Sequence, residues 1–144
     1  MIVVASDHGG LTLKNAVLEA LRRQQIECAD YGTDGTASVD YPDYAAKVAR
    51  AVADGTASAG VLVCGTGIGM SITANKIPGV RAALVHDEFT ARMAGEHNNA
   101  NVLVMGGRIL TPEQGVQLVN VWLQARYEGG RHQNRLDKIT ALER

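Results

Sequence analysis

Five short apolar runs punctuate the chain. They are IVVAS (2–6), IECAD (26–30), GVLVC (60–64), RAALV (81–85) and NVLVM (101–105). The first, third and last show almost no polar alternation, the pattern of strands buried on both faces. Between the runs the period changes. Residues 11–24 place Leu13, Val17, Leu18 and Leu21 on one helical face. Further helical segments are predicted over 43–54, 68–77, 88–97, 112–127 and 131–143. At the fifth of these six, Thr111 reads as the N-cap, with Pro112 and Glu113 in the first turn. Strands alternating with helices at this spacing give βαβ units, and right-handed crossovers leave few topologies. The expected fold is a Rossmann-like α/β domain over residues 1–144. It is a doubly wound, five-stranded parallel sheet in three αβα layers. Such sheets bind ligands at the carboxyl ends of their strands, near the switch in strand order. The longest loop, 33–43, is expected to help line that edge.

Composition narrows the function. With 144 residues the chain has room for one domain. Aromatics make up only 4% of it, and Ala, Val, Leu and Gly dominate, which suits helices packed closely on a sheet. A net charge of -1 provides no global basic field for nucleic acid. No apolar run approaches the roughly 20 residues that span a bilayer. MIVVASDHGG reads as a first strand rather than a signal peptide. Cys28 and Cys64 both lie in or at the end of apolar runs, so free thiols in a reducing cytosol are expected.

Candidate chemistry collects at the strand ends. The first strand ends in Asp7 and His8, the third in Cys64, and the fourth in His86. Cys64 opens the loop Gly65-Thr66-Gly67-Ile68-Gly69. Glycines there let backbone N–H groups turn inward, and a helix start near Gly69 adds the positive end of a dipole. The loop is therefore an anion cradle or a ligand-free strand-to-helix turn. It is not a Walker loop, because GMS stands where Gly-Lys-Ser/Thr is needed. Met70 occupies the third glycine of the dinucleotide fingerprint, and also the arginine position of a cysteine phosphatase loop.

For other residues two readings stand side by side. Cys28, inside a strand, is expected to be a small buried hydrophobe. Cys64 is either that or a thiol placed at the cradle. His97 either caps a helix C-terminus or moves protons near neutral pH. Arg131 and Arg135 lie about 40° apart around a helix. They form either a solvated face or a fork for a phosphate dianion. Cys64, His8, His86 and His97 lack the usual spacing of zinc ligands, so no metal site is expected.

Five blocks, taken together, carry a resemblance: SDHGG, DYPDYA, CGTGIGMSITANK, EHNNANVLVMGGR and RHQNRLDKI. In order and spacing, from residue 2 to about residue 140, the chain resembles the type B ribose-5-phosphate isomerases. These are grouped with galactose-6-phosphate and allose-6-phosphate isomerases. The resemblance implies a cofactor-free, metal-free aldose–ketose isomerase working through an enediolate in the pentose phosphate pathway. It implies that Cys64 is the base between C1 and C2, and that His97 helps open the furanose ring, with Asp7 and Thr66 nearby. Gly65, Thr66, Gly67, Ile68 and Gly69 match the cradle for the enediolate oxygens. His8, Arg131 and Arg135 match phosphate ligands. Asn98 and Arg108 match further substrate contacts, and Tyr41 lines the sugar pocket. With Cys64 and Asn75 in the relevant places, the chain resembles the subgroup that uses cysteine rather than glutamate. Family members are dimers, some pairing into tetramers, with the active site shared between subunits. A hexose 6-phosphate isomerase and a non-catalytic phosphosugar-binding module are the alternatives.

Overall fold

The computed structural model describes residues 1–143. Five strands form one sheet: β1 (Ile2–Ser6), β2 (Cys28–Asp30), β3 (Ala59–Cys64), β4 (Ala82–Leu84) and β5 (Val102–Gly106). Six helices accompany them: α1 (Leu11–Arg23), α2 (Tyr41–Ala53), α3 (Ile68–Ala74), α4 (Glu88–Glu96), α5 (Pro112–Gln124) and α6 (Arg131–Thr140). A single 3-10 turn, His8–Gly10, links β1 to α1. All pairings are parallel, in the order β2-β1-β3-β5-β4. This is the doubly wound, three-layer α/β architecture expected.

Strand order follows the hydrophobic pattern. β1 and β5 are buried at every position, and β3 at all but its first residue. These three take the centre, where both faces are covered. β2 and β4 are short, half-buried strands and take the edges. Along β1, alternate residues serve different faces. Ile2 and Val4 join Val61, Val63, Leu103 and Met105 beneath α1, α4 and α5. Val3 and Ala5 join Leu62 and Val104 beneath α2 and α3.

Several boundaries fall short of the expected ones, each for a local reason. β2 starts at Cys28 because the Ile26 N–H donates to the Leu21 carbonyl in the turn that ends α1 (2.9 Å). α3 stops at Ala74 because the Asn75 side chain clasps the edge strand. It donates to the Ala82 carbonyl and accepts from the Ala82 N–H, both at 2.9 Å. α5 stops at Gln124, where Ala125 turns extended, and α6 stops at Thr140. α2 begins earlier than expected, so Tyr41 opens a helix rather than closing a loop, with Pro42 in the first turn. The Thr111 cap is present, paired reciprocally with Gln114.

Lys14 was not singled out in the sequence, yet it anchors the loop beside the site. It is fully buried on α1. Its ammonium donates to both Asp30 oxygens (2.8 and 3.0 Å) and to the Thr33 carbonyl. Burial pushes the Asp30 carboxyl up. The Lys14 hydrogen bond and the Gly32 N–H outweigh it, and the net shift is downward from 3.8.

Candidate active site

The carboxyl ends of β1 and β3 are neighbours, and the loops leaving them meet. Asp7 leaves β1 and caps the 3-10 turn, accepting the Gly9 N–H at 2.9 Å. His8 follows. Its Nδ1 accepts the Val39 N–H at 3.2 Å, which ties the loop before α2 to the edge and leaves Nε2 to carry the ring proton. Cys64 ends β3 with 5% of its surface exposed in the single chain. Its sulfur is turned into the loop rather than away from it, accepting the Gly67 N–H at 3.1 Å.

Gly67 must be glycine on two counts. Its φ is +82°, and a Cβ there would stand 2.5 Å from Leu84 Cδ1. This left-handed residue reverses the chain so that α3 begins at Ile68. Thr66 Oγ1 accepts the Ile68 N–H at 3.3 Å. The remaining first-turn amides of α3 have no earlier helical turn to bond, and they face the same edge.

The chain leaving β5 braces this loop from the other side. Gly107 N–H donates to the Cys64 carbonyl (2.7 Å), and Arg108 N–H to the Gly65 carbonyl (2.9 Å). The Arg108 guanidinium consequently lies on Gly65, with Nη1 3.1 Å from where a Cβ would stand. Tyr41 covers the far end of the loop. Its ring lies so close to Gly69 that a Cβ would meet Cε1 at 2.3 Å. One chain thus gathers Asp7, His8, Tyr41, Cys64, Gly65, Thr66, Gly67, Ile68, Gly69 and Arg108. His86 also lies at the carboxyl edge, but it lines a separate cavity with Leu110 and Glu113.

The other expected residues stand elsewhere. α4 starts after β4 and runs back across the sheet, so His97, its C-cap, reaches the amino end of β5. Asn98 follows, exposed at the rim of a cavity of about 300 Å³ with Asn75, Arg81, Leu136 and Ile139. α6 packs at this end and carries Arg131 and Arg135, both exposed. Cys64 is paired with Gly106, four residues beyond Val102. At ~3.3 Å per residue, about 13 Å of strand separates the two ends. His97 of one chain cannot reach Cys64 of the same chain.

Sequence reading missed two residues at this second cluster. The His132 ring stacks on His97, with centroids 4.1 Å apart. Glu128 Oε1 lies 3.5 Å from Nε2 of both. Burial, and then the charges of His97 and Arg131, pull the His132 imidazole below 6.5. Glu128 and His132 are four residues apart, but Gly129 and Gly130 intervene with positive φ. No helical periodicity therefore signals the pair.

An open parallel α/β domain with a thiol and a glycine loop at its switch point belongs to the class that handles small anionic metabolites. Similarity to known proteins narrows that class. A sequence model of the Ribose/Galactose Isomerase family matches residues 2–139, and the chain belongs to that family. Ribose-5-phosphate isomerase B of Escherichia coli K12 is 44% identical over 142 residues, covering 99% of this chain and 95% of the relative. The structure of Clostridium thermocellum ribose-5-phosphate isomerase B superposes with a TM-score of 0.96 at 45% identity. That match covers 98% of this chain and 95% of the other. Ribose-5-phosphate isomerase B of Mycoplasma genitalium, solved with bound ribulose-5-phosphate, is 46% identical with a TM-score of 0.94. It covers 97% of this chain and 93% of its own.

Proposed function

We propose that this chain is an aldose–ketose isomerase interconverting D-ribose 5-phosphate and D-ribulose 5-phosphate, a step of the pentose phosphate pathway. The observation that carries the mechanism is the Cys64 sulfur held among the amides of its own glycine loop. Moving a hydrogen between C1 and C2 creates charge on the neighbouring oxygen. N–H donors aimed at that oxygen stabilise the charge as it develops, each worth ~2.7–4 kcal/mol. Cys64 takes the proton from one carbon and returns it to the other. Gly65 to Gly69 receive the enediolate oxygens, with Thr66 at the rim.

The opposite placement of His97 supports a homodimer in which each site draws on two chains. Cys64, Asp7, His8, Tyr41 and the loop come from one copy. His97 and Asn98 come from the other, where His97 protonates the ring oxygen as its bond to C1 breaks and the C1 hydroxyl gives up its proton, so that the furanose opens to the aldehyde. His8 meets the phosphate with Arg131 and Arg135, whose planar forks match its oxygens. Phosphate binding is remote from the reacting carbons and holds the open sugar in register. The steps are proton transfers and the opening of one C–O bond, so the chemistry calls for no cofactor. A sugar phosphate is the partner, with no role for nucleic acid. No described helix is long and apolar enough to cross a membrane, and two free thiols fit a cytoplasmic enzyme.

Cys64→Ala tests the assignment. Losing a general base lowers kcat by about 10²–10⁴-fold. KM should move little, because the phosphate ligands are untouched. A coupled assay on ribose 5-phosphate and on allose 6-phosphate reads both quantities and the substrate preference. Near-normal turnover by the folded variant removes Cys64 from the mechanism, and a higher kcat/KM on the hexose phosphate overturns the pentose assignment.

A further inference from the structure

His97, Glu128 and His132 share an arrangement that ring opening alone does not explain. Nε2 of each histidine is 3.5 Å from Glu128 Oε1, and the three ligand atoms lie within 4.8 Å of one another. None of these approaches is a hydrogen bond. The His132 side chain is only 7% exposed, and its Nε2 has no hydrogen-bonding partner. A buried, unpartnered nitrogen beside a carboxylate and a second imidazole is an unsatisfied group that a shared positive ligand would satisfy.

We propose that His97, Glu128 and His132 form a binding site for a divalent cation of the zinc type, and that filling it switches the isomerase off. Zinc bound at about 2.0–2.1 Å in tetrahedral geometry sets its ligands ~3.4 Å apart. The two histidine–carboxylate edges already have that length. Two imidazoles and a carboxylate form a donor set that zinc accepts while keeping a fourth position open. Glu128 supplies one negative charge, which offsets half of the cation's.

The backbone holds the donors in place. Glu128 N–H donates to the Glu96 carbonyl at 2.9 Å, fastening the loop to the end of α4 beside His97. His97 N–H bonds the Met93 carbonyl, and His132 N–H the Gly129 carbonyl. In the single chain, half of the Glu128 side chain and a third of His97 are exposed, which leaves the cluster open on one side. The rings lie nearly parallel, 20° apart, so both must rotate about their Cβ–Cγ bonds to point their lone pairs at one ion. Sequence spacing hides this site, because His97 is 31 residues before Glu128.

Occupancy takes the lone pair that His97 needs to move a proton. That consequence rests on the ring-opening role proposed for His97, whereas binding itself does not. Cobalt(II) is the probe for binding. Titrated into chelator-treated full-length protein, it should bind one ion per chain with the visible absorption of a tetrahedral site. No sulfur-to-cobalt charge-transfer band should accompany it. Glu128→Gln and His132→Gln should each weaken binding by about tenfold or more, and Cys64→Ala should leave it intact. Zinc(II) should displace the cobalt and inhibit isomerisation, with activity restored by EDTA. A thiolate band, the absence of stoichiometric binding, or unchanged binding in folded Glu128→Gln overturns the site. Zinc binding without inhibition overturns the switch alone.

Discussion

Because His97 and Cys64 stand at opposite ends of the sheet, two crippled chains should repair each other. Cys64→Ala and His97→Asn remove different halves of the site. The register sets about 13 Å of strand between the two ends, against the ~2.6–3.2 Å over which a catalytic group exchanges a proton. A site that uses both residues cannot come from one chain, and in the proposed two-fold dimer the partner copy supplies the missing half. Each variant by itself makes dimers in which every site is defective. Mixed in equal amounts, unfolded in urea and refolded together, about half of the dimers are hybrids. In a hybrid, one site pairs the intact Cys64 with the intact His97, and the other carries both lesions. Activity should recover to about one quarter of the unmutated level, far above parents lowered by about 10²-fold or more. A coupled isomerase assay reads the recovery, and differently tagged chains verify exchange. If exchange is complete and activity stays at the parental level, the two-chain site is wrong.

Three other perturbations follow from local geometry. Gly69→Ala places a methyl 2.3 Å from the Tyr41 ring and drives it off the loop. kcat/KM should fall by about 10- to 100-fold with a small change in Tm, and unchanged kinetics detach Tyr41 from the pocket. Lys14→Met keeps the volume but strands Asp30 and the Thr33 carbonyl. Urea unfolding should show a loss of about 3 kcal/mol, the low end for a broken buried pair because Asp30 keeps a third of its side chain in water. The lowered Asp30 contributes stability above 3.8 that fades as pH falls below it, and Lys14→Met should weaken that dependence. His132 shifts stability in a different window. Its folded imidazole resists a proton that the unfolded chain accepts near 6.5, so stability should drop as pH falls through that value. His132→Gln should flatten the urea-midpoint profile there, and an identical slope contradicts the shift.

Much of the architecture was legible because it rests on short-range pattern. Runs without polar alternation in β1, β3 and β5 announced strands covered on both faces, and these are the central three. The Thr111 cap and the glycines after Cys64 were equally local signals. Edge strands were harder to bound. In β2 and β4, half-burial leaves less sequence constraint, and contacts such as the Asn75 clasp on Ala82 set their limits. Lys14 escaped notice because a lysine within an amphipathic helix reads as a solvated residue until Asp30 and Thr33 are folded around it. Glu128 and His132 escaped because they come together through a glycine turn and a helix end that share no period.

The sequence alone settled the number and kind of elements, the covered strands, and a thiol ahead of a glycine loop. Each depends on residues within a turn or two of one another, where side-chain period and φ preference act directly. Only the tertiary structure decided that the sulfur faces its loop, that Arg108 and Tyr41 close over it, and that His97 sits at the far end with His132 and Glu128. Those facts depend on the direction in which each helix returns across a parallel sheet, and that direction exists only once the strands have paired.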